Sequence, residues 1–242
     1  MTVKLNKGAR HDDVASALAC EIISGARPAG SRMPSVEDMF EQFGVSRVMT
    51  REVMKTLAAK GMVIAKSKVG THVLPSQRWN WFDPQLLAWR VQVGLDMSFL
   101  EHLTEMRSAV EPTAAALAAR HCTTDLLTEM RSALAAMETA GLNRHEFGQA
   151  DLRFHIAVGT ASGNPLFRSF ASVIETALGA SLSLTAPMNS QVTAASIARH
   201  ARIADMIESG DARAASEAML VVVEEGASTL ASAKRQGRIS RE

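Results

Sequence analysis

The sequence has 242 residues, of which 47% are hydrophobic and 21% charged, and its formal net charge is +1 at pH 7. These proportions are typical of folded globular proteins and exclude wholesale disorder. The two cysteines, Cys20 and Cys122, lie far apart and suit a reducing cytosol better than a disulfide framework. No apolar run approaches the ~18 residues of a membrane span. We therefore expect a cytoplasmic protein.

Charge is distributed unevenly along the chain. Residues 1–75 contain 11 basic and 7 acidic residues, whereas residues 76–242 contain 15 and 18. A surface that binds phosphate needs an excess of positive charge. The first 75 residues are therefore the better place to look for one.

The first 75 residues follow the pattern of a small DNA-binding fold. A first helix is predicted in VASALACEIISG, and Ser35 can cap a short second helix, VEDMFEQF, which ends at Gly44. A third helix begins at Ser46 and ends near Gly61. The β-prone runs MVIAK and THVLP, joined by SKVG, then predict a hairpin. Helix, helix, tight turn, helix and hairpin together indicate a winged helix-turn-helix.

Residues 76–95 are predicted to connect this domain to the rest of the chain. The run SQRWNWFDPQLLAWRVQ contains all three tryptophans and a proline, which predicts a linker that packs on its neighbours. From 96 to 236 the apolar residues keep helical spacing, without the alternation typical of strands. We therefore expect a mainly α protein, in which about six C-terminal helices form an all-α antiparallel bundle for effector binding and dimerisation.

The third predicted helix and the hairpin carry candidate DNA contacts. The first turns of the helix combine short hydroxyls with guanidinium groups, in Ser46, Arg47, Thr50 and Arg51. Such groups near a helix N-terminus can bind phosphates and recognise guanine edges in the major groove. In the hairpin, Lys68 and Gly70 suit a wing that contacts phosphates or a minor groove. A solvated basic helix in an unrelated bundle is the alternative for any single residue, but the ordered set favours DNA binding.

The run IISGARPAGSRMPSVEDMFEQFGVSRVMTREVMKTLAAKGMVIAKSKVGTHV resembles the DNA-binding domain of the GntR family of bacterial transcription regulators. It matches the family's glycine-proline-glycine approach, its proline-serine helix start, its valine-serine-arginine turn and its glycine-threonine wing. The resemblance implies that Ser46, Arg47, Arg51 and the wing around Gly70 contact DNA. It also implies a homodimer that binds a palindromic double-stranded operator.

Two positions depart from the family pattern. Val36 stands where the family usually has glutamate, and Glu37 stands where an arginine often touches the DNA backbone in relatives. A carboxylate repels phosphate, so Glu37 is not among the candidate contacts.

In the C-terminal half, the stretch ADLRFHIAV places Asp151 and His155 four positions apart. On a helix these positions share one face, so both side chains can reach one point. That point could be a metal ion, a bound ligand or an ordinary Asp–His hydrogen bond. The pair alone does not decide between them.

The all-helical half resembles the FCD ligand domain of the FadR-like branch of the family. The matching segments are LTEMRSAVEP, ADLRFH, SGNPLF, RH at 199–200 and IESGDARAASEAM. In many FCD domains an aspartate and three histidines surround a divalent metal. Asp151, His155 and His200 match the first three positions, whereas Val222 stands at the fourth. The resemblance thus implies a three-ligand site for Zn²⁺, Ni²⁺ or Mn²⁺, with positions left for water or a ligand.

A small anionic effector is expected in the same region. Arg107 could bind its carboxylate, while Asp151, His155 and His200 bind a metal or the hydroxyls of the effector. The alternative for Arg107 is a salt bridge to Glu111, one turn further on. The linker RWNWFDPQLLAW resembles family members that control sugar-acid catabolism. That resemblance implies an aldonate or uronate, such as galactonate, as the effector.

Three functions are compatible with these residues. The leading one is an effector-controlled repressor, not an enzyme. The second is a metal-dependent hydrolase fused to a DNA-binding module, but the sequence has no evident general base, nucleophile motif or phosphate loop. The third is a regulator for which the metal is itself the signal, an idea that Val222 weakens by removing one ligand.

Overall fold

The computed structural model describes residues 10–171, 173–176, 179 and 189–235. The chain divides into two compact units, Met1–Gly94 and Leu95–Glu242. The first nine residues of the predicted DNA-binding domain lie outside the described residues, as do residues 172, 177–178, 180–188 and 236 of the predicted effector domain. Within the described part of the chain, none of the helices has the length and apolar character that crossing a membrane requires.

The first unit is a winged helix-turn-helix. Its elements are α1 (His11–Ile23), α2 (Val36–Phe43), α3 (Arg47–Ala59), β1 (Val63–Lys66), β2 (Gly70–Val73), a 3₁₀ turn (Ser76–Arg78) and α4 (Pro84–Val93). The two strands pair antiparallel, and their register places Val63 opposite Val73 and Lys66 opposite Gly70. The predicted order of helices and hairpin is confirmed.

Local side-chain chemistry fixes the turn between α2 and α3. The Ser35 hydroxyl accepts a hydrogen bond from the Asp38 amide, and the Asp38 carboxylate accepts one from the Ser35 amide. This reciprocal capping box starts α2. Gly44 ends it in the left-handed region, with a φ of 68°, a conformation that costs a glycine little. Ser46 then caps α3 by accepting a hydrogen bond from the Met49 amide.

The segment predicted as a linker contains a helix that the sequence interpretation missed. Asp83 caps α4, and Pro84 occupies its first turn, where no amide donor is needed. Leu86 and Trp89 are buried in the same apolar cluster as Leu18 of α1. Most of the predicted linker thus belongs to the core of the first unit, because its large apolar side chains are removed from water there.

The second unit is a helical bundle. Its described helices include α5 (Met97–His121), α6 (Thr124–Ala140), α7 (Arg144–Ala161), α8 (Pro165–Ser169), α9 (Ser190–Glu208) and α10 (Ala212–Arg235). α5 packs along α10, α6 packs along α7, and α9 contacts α5, α6 and α10. Fully buried side chains from four of these helices form the core: Met130, Met137, Phe154, Ile203 and Met219. Close packing of α5, α7 and α9 brings their inward-facing polar residues together.

Candidate functional site

The first turns of α3 present two exposed arginines beside a capped helix end. Arg47 and Arg51 are both exposed and lie one turn apart, whereas Val53 and Leu57 are fully buried on the opposite face. Neither arginine forms an ion pair with any residue that the structure describes. Their guanidinium groups are therefore available to an external anion or base edge.

Thr50 differs from the other expected DNA contacts in its burial. Its side chain is only 4% exposed, and its hydroxyl donates to the Ser46 carbonyl oxygen at 3.1 Å. A buried hydroxyl that already donates within its own helix is a poor partner for DNA. Position 50 lies at the border between the inner and outer faces of α3, so a DNA contact from Thr50 stays a prediction.

The wing is a short hairpin with Lys68 at its tip. Lys68 has a left-handed backbone, with a φ of 61°, and an exposed side chain. Gly70 follows with a φ of 101°, and a Cβ at this position would lie 2.9 Å from Nε of Arg32. Gly70 is thus favoured by its left-handed backbone conformation, and the flexible Arg32 side chain lies against it.

A buried cluster of ionisable side chains joins three helices of the second unit. Its members are Arg107 and Glu111 of α5, Asp151 and His155 of α7, and His200 of α9. Burial of charged groups is unfavourable unless they bind one another or a ligand. The predicted effector and metal residues therefore do come together in space.

Asp151 lies between the two histidines. Its Oδ1 atom is 2.9 Å from His200 Nε2 and 3.5 Å from His155 Nε2. One ligand atom from each of these three residues lies within 4.8 Å of the other two. Phe154 packs edge-on against the His200 ring, with 5.3 Å between ring centroids, and restricts its orientation.

Glu111 extends the cluster to Arg107. Arg107 Nε lies 2.5 Å from Glu111 Oε1, and Nη2 lies 3.4 Å from Oε2. The same Oε2 atom is 2.5 Å from His155 Nδ1. The alternative that the sequence left open for Arg107, a salt bridge to Glu111, is present. Within the part of the chain that the structure describes, two of the five guanidinium donors are used, and one of those contacts is long.

The proton on His200 has a defined place. His200 Nδ1 lies 2.8 Å from the Ser196 carbonyl oxygen, which can only accept, so Nδ1 carries the hydrogen. In a neutral ring Nε2 then has a lone pair that faces Asp151 Oδ1. Both atoms are buried, and neither has a hydrogen bond of acceptable geometry. Two acceptors at this distance repel unless a proton or a cation lies between them.

This arrangement fits a divalent cation. One carboxylate and two imidazoles are suitable ligands for Zn²⁺ and related ions, and a backbone carbonyl on the distal ring nitrogen is the usual partner of a metal-binding histidine. Val222 is half-buried against the apolar core and offers no ligand atom. A site of three protein ligands, Asp151, His155 and His200, is therefore available.

The cluster shifts the titration of its members. Burial would raise the pKa of Asp151, but the imidazoles of His155 and His200 outweigh burial and hold it well below its ordinary value. Burial also opposes ionisation of Glu111, yet the Arg107 guanidinium and His155 lower its pKa to about 2. Burial lowers the pKa of His155, and the Glu111 and Asp151 carboxylates raise it to about 9. Both carboxylates are therefore ionised near neutral pH.

Two participants were not among the predicted site residues. Glu111 was named only as a partner for Arg107, although it also contacts His155. Ser196 acts through its backbone carbonyl, which carries no signal in the side-chain sequence. The i,i+4 spacing of Arg107 and Glu111 was the available hint that a carboxylate lies on this face of α5.

Comparison with known families and proteins gives matches over both units. Residues 10–73 match the model of bacterial regulatory proteins of the gntR family, and residues 102–225 match the FCD domain. An uncharacterised HTH-type transcriptional regulator of Escherichia coli (strain K12), YieP, is 35% identical over 162 residues, which cover 66% of this chain and 70% of the relative. The galactonate operon transcriptional repressor of the same organism is 29% identical over 212 residues, covering 88% and 93%.

Solved structures show a similar fold. The Listeria monocytogenes regulator Lar superposes with a TM-score of 0.63 at 18% identity, covering 95% of this chain and 99% of its own. Escherichia coli McbR/YncC gives a TM-score of 0.54 at 16% identity, covering 93% and 98%. At these identities the likeness concerns architecture alone.

Proposed function

Because the chain belongs to the GntR family of bacterial transcription regulators and carries an FCD domain, we propose that it is a repressor released from its operator by a small carboxylate effector. The regulator is a homodimer on a palindromic operator, since paired recognition helices require a symmetric site. The effector is a sugar acid, an aldonate or uronate such as galactonate.

The first unit supports the DNA-binding part of this proposal. Arg47 and Arg51 project from the first turns of α3, beside the Ser46 cap, and Lys68 projects from the wing. Arginine can donate two hydrogen bonds to the O6 and N7 atoms of guanine, and lysine at a wing tip can neutralise phosphates. We assign Ser46, Arg47, Arg51 and Lys68 to operator binding and leave Thr50 out.

The single observation that carries the effector part is the unsatisfied contact between His200 Nε2 and Asp151 Oδ1. A buried pair of acceptors is costly, so a protein retains it where a ligand supplies the missing charge. A divalent ion held by Asp151, His155 and His200 would supply positive charge and open coordination positions to an oxygen-rich ligand.

Arg107 gives the site a second means of holding an anion. It lies on the same connected cluster through Glu111 and has donors to spare. A guanidinium group binds carboxylates with two parallel hydrogen bonds. We propose that the effector carboxylate takes up the donors that Glu111 does not use.

The choice of a sugar acid is supported by likeness to the galactonate operon repressor. A thermal-shift panel of sugar acids and other small carboxylates, repeated with a chelator, tests it directly. We expect saturable stabilisation by one sugar acid, and release of operator DNA by the same compound. Stabilisation by another carboxylate class alone would contradict the sugar-acid assignment.

A second candidate, a metal-responsive regulator, is favoured by one observation. Arg107 is already paired with Glu111, so the remaining donor set of one carboxylate and two imidazoles prefers a cation. For this candidate, adding or removing Zn²⁺, Ni²⁺ or Mn²⁺ changes operator affinity without any carboxylate. For an effector-controlled repressor, the metal alone leaves operator affinity unchanged.

A further inference from the structure

A cleft in the first unit lies between α3 and the wing. Its volume is ≈ 370 Å³, and no acidic residue lines it. Three cationic side chains reach it, those of Arg32, Arg51 and Lys55, while Met54 and Thr71 contribute to its lining. A cavity with several cations and no carboxylate at its edge favours an anion.

Arg32 is held at the wing side of this cleft. Its backbone pairs with His72 of β2 as an isolated antiparallel bridge, and the next amide, that of Met33, donates to the Thr71 carbonyl at 2.8 Å. The guanidinium group lies against Gly70, where a Cβ would be 2.9 Å from Nε. Arg32 is thus attached to the hairpin almost as a third strand, so its side chain is placed by the wing.

The Arg32 side chain is exposed and forms no ion pair with any residue in the described ranges. Its charge does reach the exposed Asp38 carboxylate, whose pKa is lowered by hydrogen bonds from Ser35 and, more weakly, by Arg32. By contrast, Arg27, five positions earlier, is tied to Glu21 at 2.7 Å. Near the start of α2, Glu37 is exposed and carries a carboxylate, so it cannot bind a phosphate there.

The position of DNA on this surface determines which part of the duplex lies over the cleft. This step rests on the proposed function, in which α3 enters the major groove and the wing lies along the adjacent minor groove. The sugar-phosphate strand that separates two adjacent grooves must then cross the space between α3 and the wing. That space is the cleft.

We propose that Arg32, seated on Gly70, binds a phosphate group of the DNA strand that crosses this cleft. Arg32 thereby supplies a contact to the DNA backbone from the loop before α2. The contact fixes the orientation of the duplex and is independent of base sequence. The same chemistry could bind a free phosphate, so the test must separate the two sources.

The test uses the full chain and an operator selected by the wild-type protein from a random-sequence library. Operator affinity is measured over a range of salt concentrations for wild type, Arg32→Gln, Arg32→Lys and Arg78→Gln. Arg78 is an exposed arginine of the same unit that does not line the cleft. Unchanged thermal melting monitored by tryptophan fluorescence confirms that each variant folds.

We expect Arg32→Gln to reduce the slope of log affinity against log salt by about 0.9, the value for one lost phosphate contact. Affinity falls by a similar factor for every operator sequence, whereas Arg32→Lys and Arg78→Gln keep the wild-type slope. A methylphosphonate scan adds a positional check. Neutralising one phosphate should weaken wild type and leave Arg32→Gln unaffected.

Two results would overturn the inference. One is specific DNA binding by Arg32→Gln with the wild-type salt slope and the wild-type response to methylphosphonates. The other result has two parts: inorganic phosphate stabilises wild type saturably and does not stabilise Arg32→Gln, and the slope of log operator affinity against log salt is the same for both proteins. That result would assign the cleft to a free phosphate. Failure of the proposed function is distinguishable from failure of the Arg32 contact, because wild type would then enrich no sequence from the random library.

Discussion

His200 Nε2 lies 2.9 Å from Asp151 Oδ1, and the other nitrogen of the same ring lies 2.8 Å from the Ser196 carbonyl oxygen. The carbonyl requires a hydrogen on Nδ1, which leaves Nε2 without one in the neutral ring. In the neutral ring a carboxylate and an imidazole lone pair therefore face each other in a buried site, whereas a proton on Nε2 would make the contact an ionic hydrogen bond. The relationship explains why the second unit needs a cation or a proton at this point.

Metal retention should depend on His200. After loading with Zn²⁺ and dialysis, we expect wild type to retain about one ion per chain, as a site with three protein ligands can. His200→Ala should lose affinity by more than the roughly 10- to 100-fold that removal of an outer hydrogen-bond partner costs. Elemental analysis and melting temperature with and without chelator measure this.

The matched control for metal retention is His102→Ala. His102 is an exposed histidine of α5 in the same unit, outside the cluster. It should bind zinc as wild type does. Equal zinc retention by His200→Ala and wild type would remove Asp151, His155 and His200 as a metal site.

Replacing Arg107 should uncouple the effector from DNA. In Arg107→Ala the buried Glu111 carboxylate loses its guanidinium partner and keeps only His155, so the free energy of unfolding should fall by about 3 kcal/mol. Operator affinity should persist, while release by the effector disappears. Arg107→Lys keeps the charge but loses the planar two-point geometry, so it should fold better and respond weakly. Anisotropy of labelled operator reports both properties.

Arg131→Ala is the control for Arg107. Arg131 pairs with Asp205 and Glu208 on the surface, where ion pairs contribute roughly 0–1 kcal/mol. Its loss should leave effector release intact. Normal release by Arg107→Ala at the wild-type effector concentration would show that Arg107 does not bind the effector.

Arg51 and Thr50 should differ in their effect on operator binding. Arg51→Ala should weaken binding by about 1–3 kcal/mol, and relax specificity at one base pair, if its guanidinium contacts a guanine. Thr50→Val keeps the buried shape and removes only the hydroxyl that donates to Ser46. We expect the operator affinity of Thr50→Val to stay within about twofold of wild type. That change is far smaller than the tenfold to which 1.4 kcal/mol corresponds. A Thr50→Val protein with changed base preference would restore Thr50 to the interface.

The Lys60–Asp83 pair should stabilise the first unit in a pH-dependent way. Lys60 Nζ lies 2.8 and 2.9 Å from the two Asp83 oxygens. Burial would raise the pKa of Asp83, but hydrogen bonds from Lys60 and the α4 amides lower it below its ordinary value. A depressed folded-state pKa gives stability that is present above the unfolded pKa and is lost as pH falls through the folded one.

Asp83→Asn keeps an oxygen that can cap α4 and removes the charge. We expect it to destabilise the first unit at pH 7 by about 1–3 kcal/mol, the range for a hydrogen bond to a charged group. The difference from wild type should shrink as pH falls below about 4. Urea unfolding followed by tryptophan fluorescence is selective, because all three tryptophans lie within residues 79–89. Glu52→Gln, which breaks the exposed pair with Lys55, should leave the urea midpoint close to that of wild type at either pH.

The turn of the first unit was predictable because its chemistry is local. Ser35 and Ser46 cap the helices that follow them, and Gly44 takes a left-handed backbone, as their sequence positions predict. The fold class followed from apolar spacing in the same way. Helix α4 was missed because the tryptophans and proline of residues 76–92 suggested a linker, whereas burial against α1 decides its structure.

The candidate site was predictable only in part. The spacing of Asp151 and His155 indicated a shared helix face, and the position of His200 came from family resemblance. The contact between Glu111 and His155 joins α5 to α7, so only helix packing brings it about. The contact of the Arg32 side chain with Gly70 likewise depends on how the loop before α2 packs on the wing. No local sequence pattern specifies that packing.

The most direct measurement is the affinity of the selected operator for wild type and for Asp151→Asn as a candidate sugar acid is added. We expect the sugar acid to weaken operator binding by wild type at least tenfold. Asp151→Asn should bind the operator equally well without the compound and fail to respond to it. If wild type is indifferent to every small carboxylate, or if Asp151→Asn responds as wild type does, the buried cluster does not control DNA binding through such an effector.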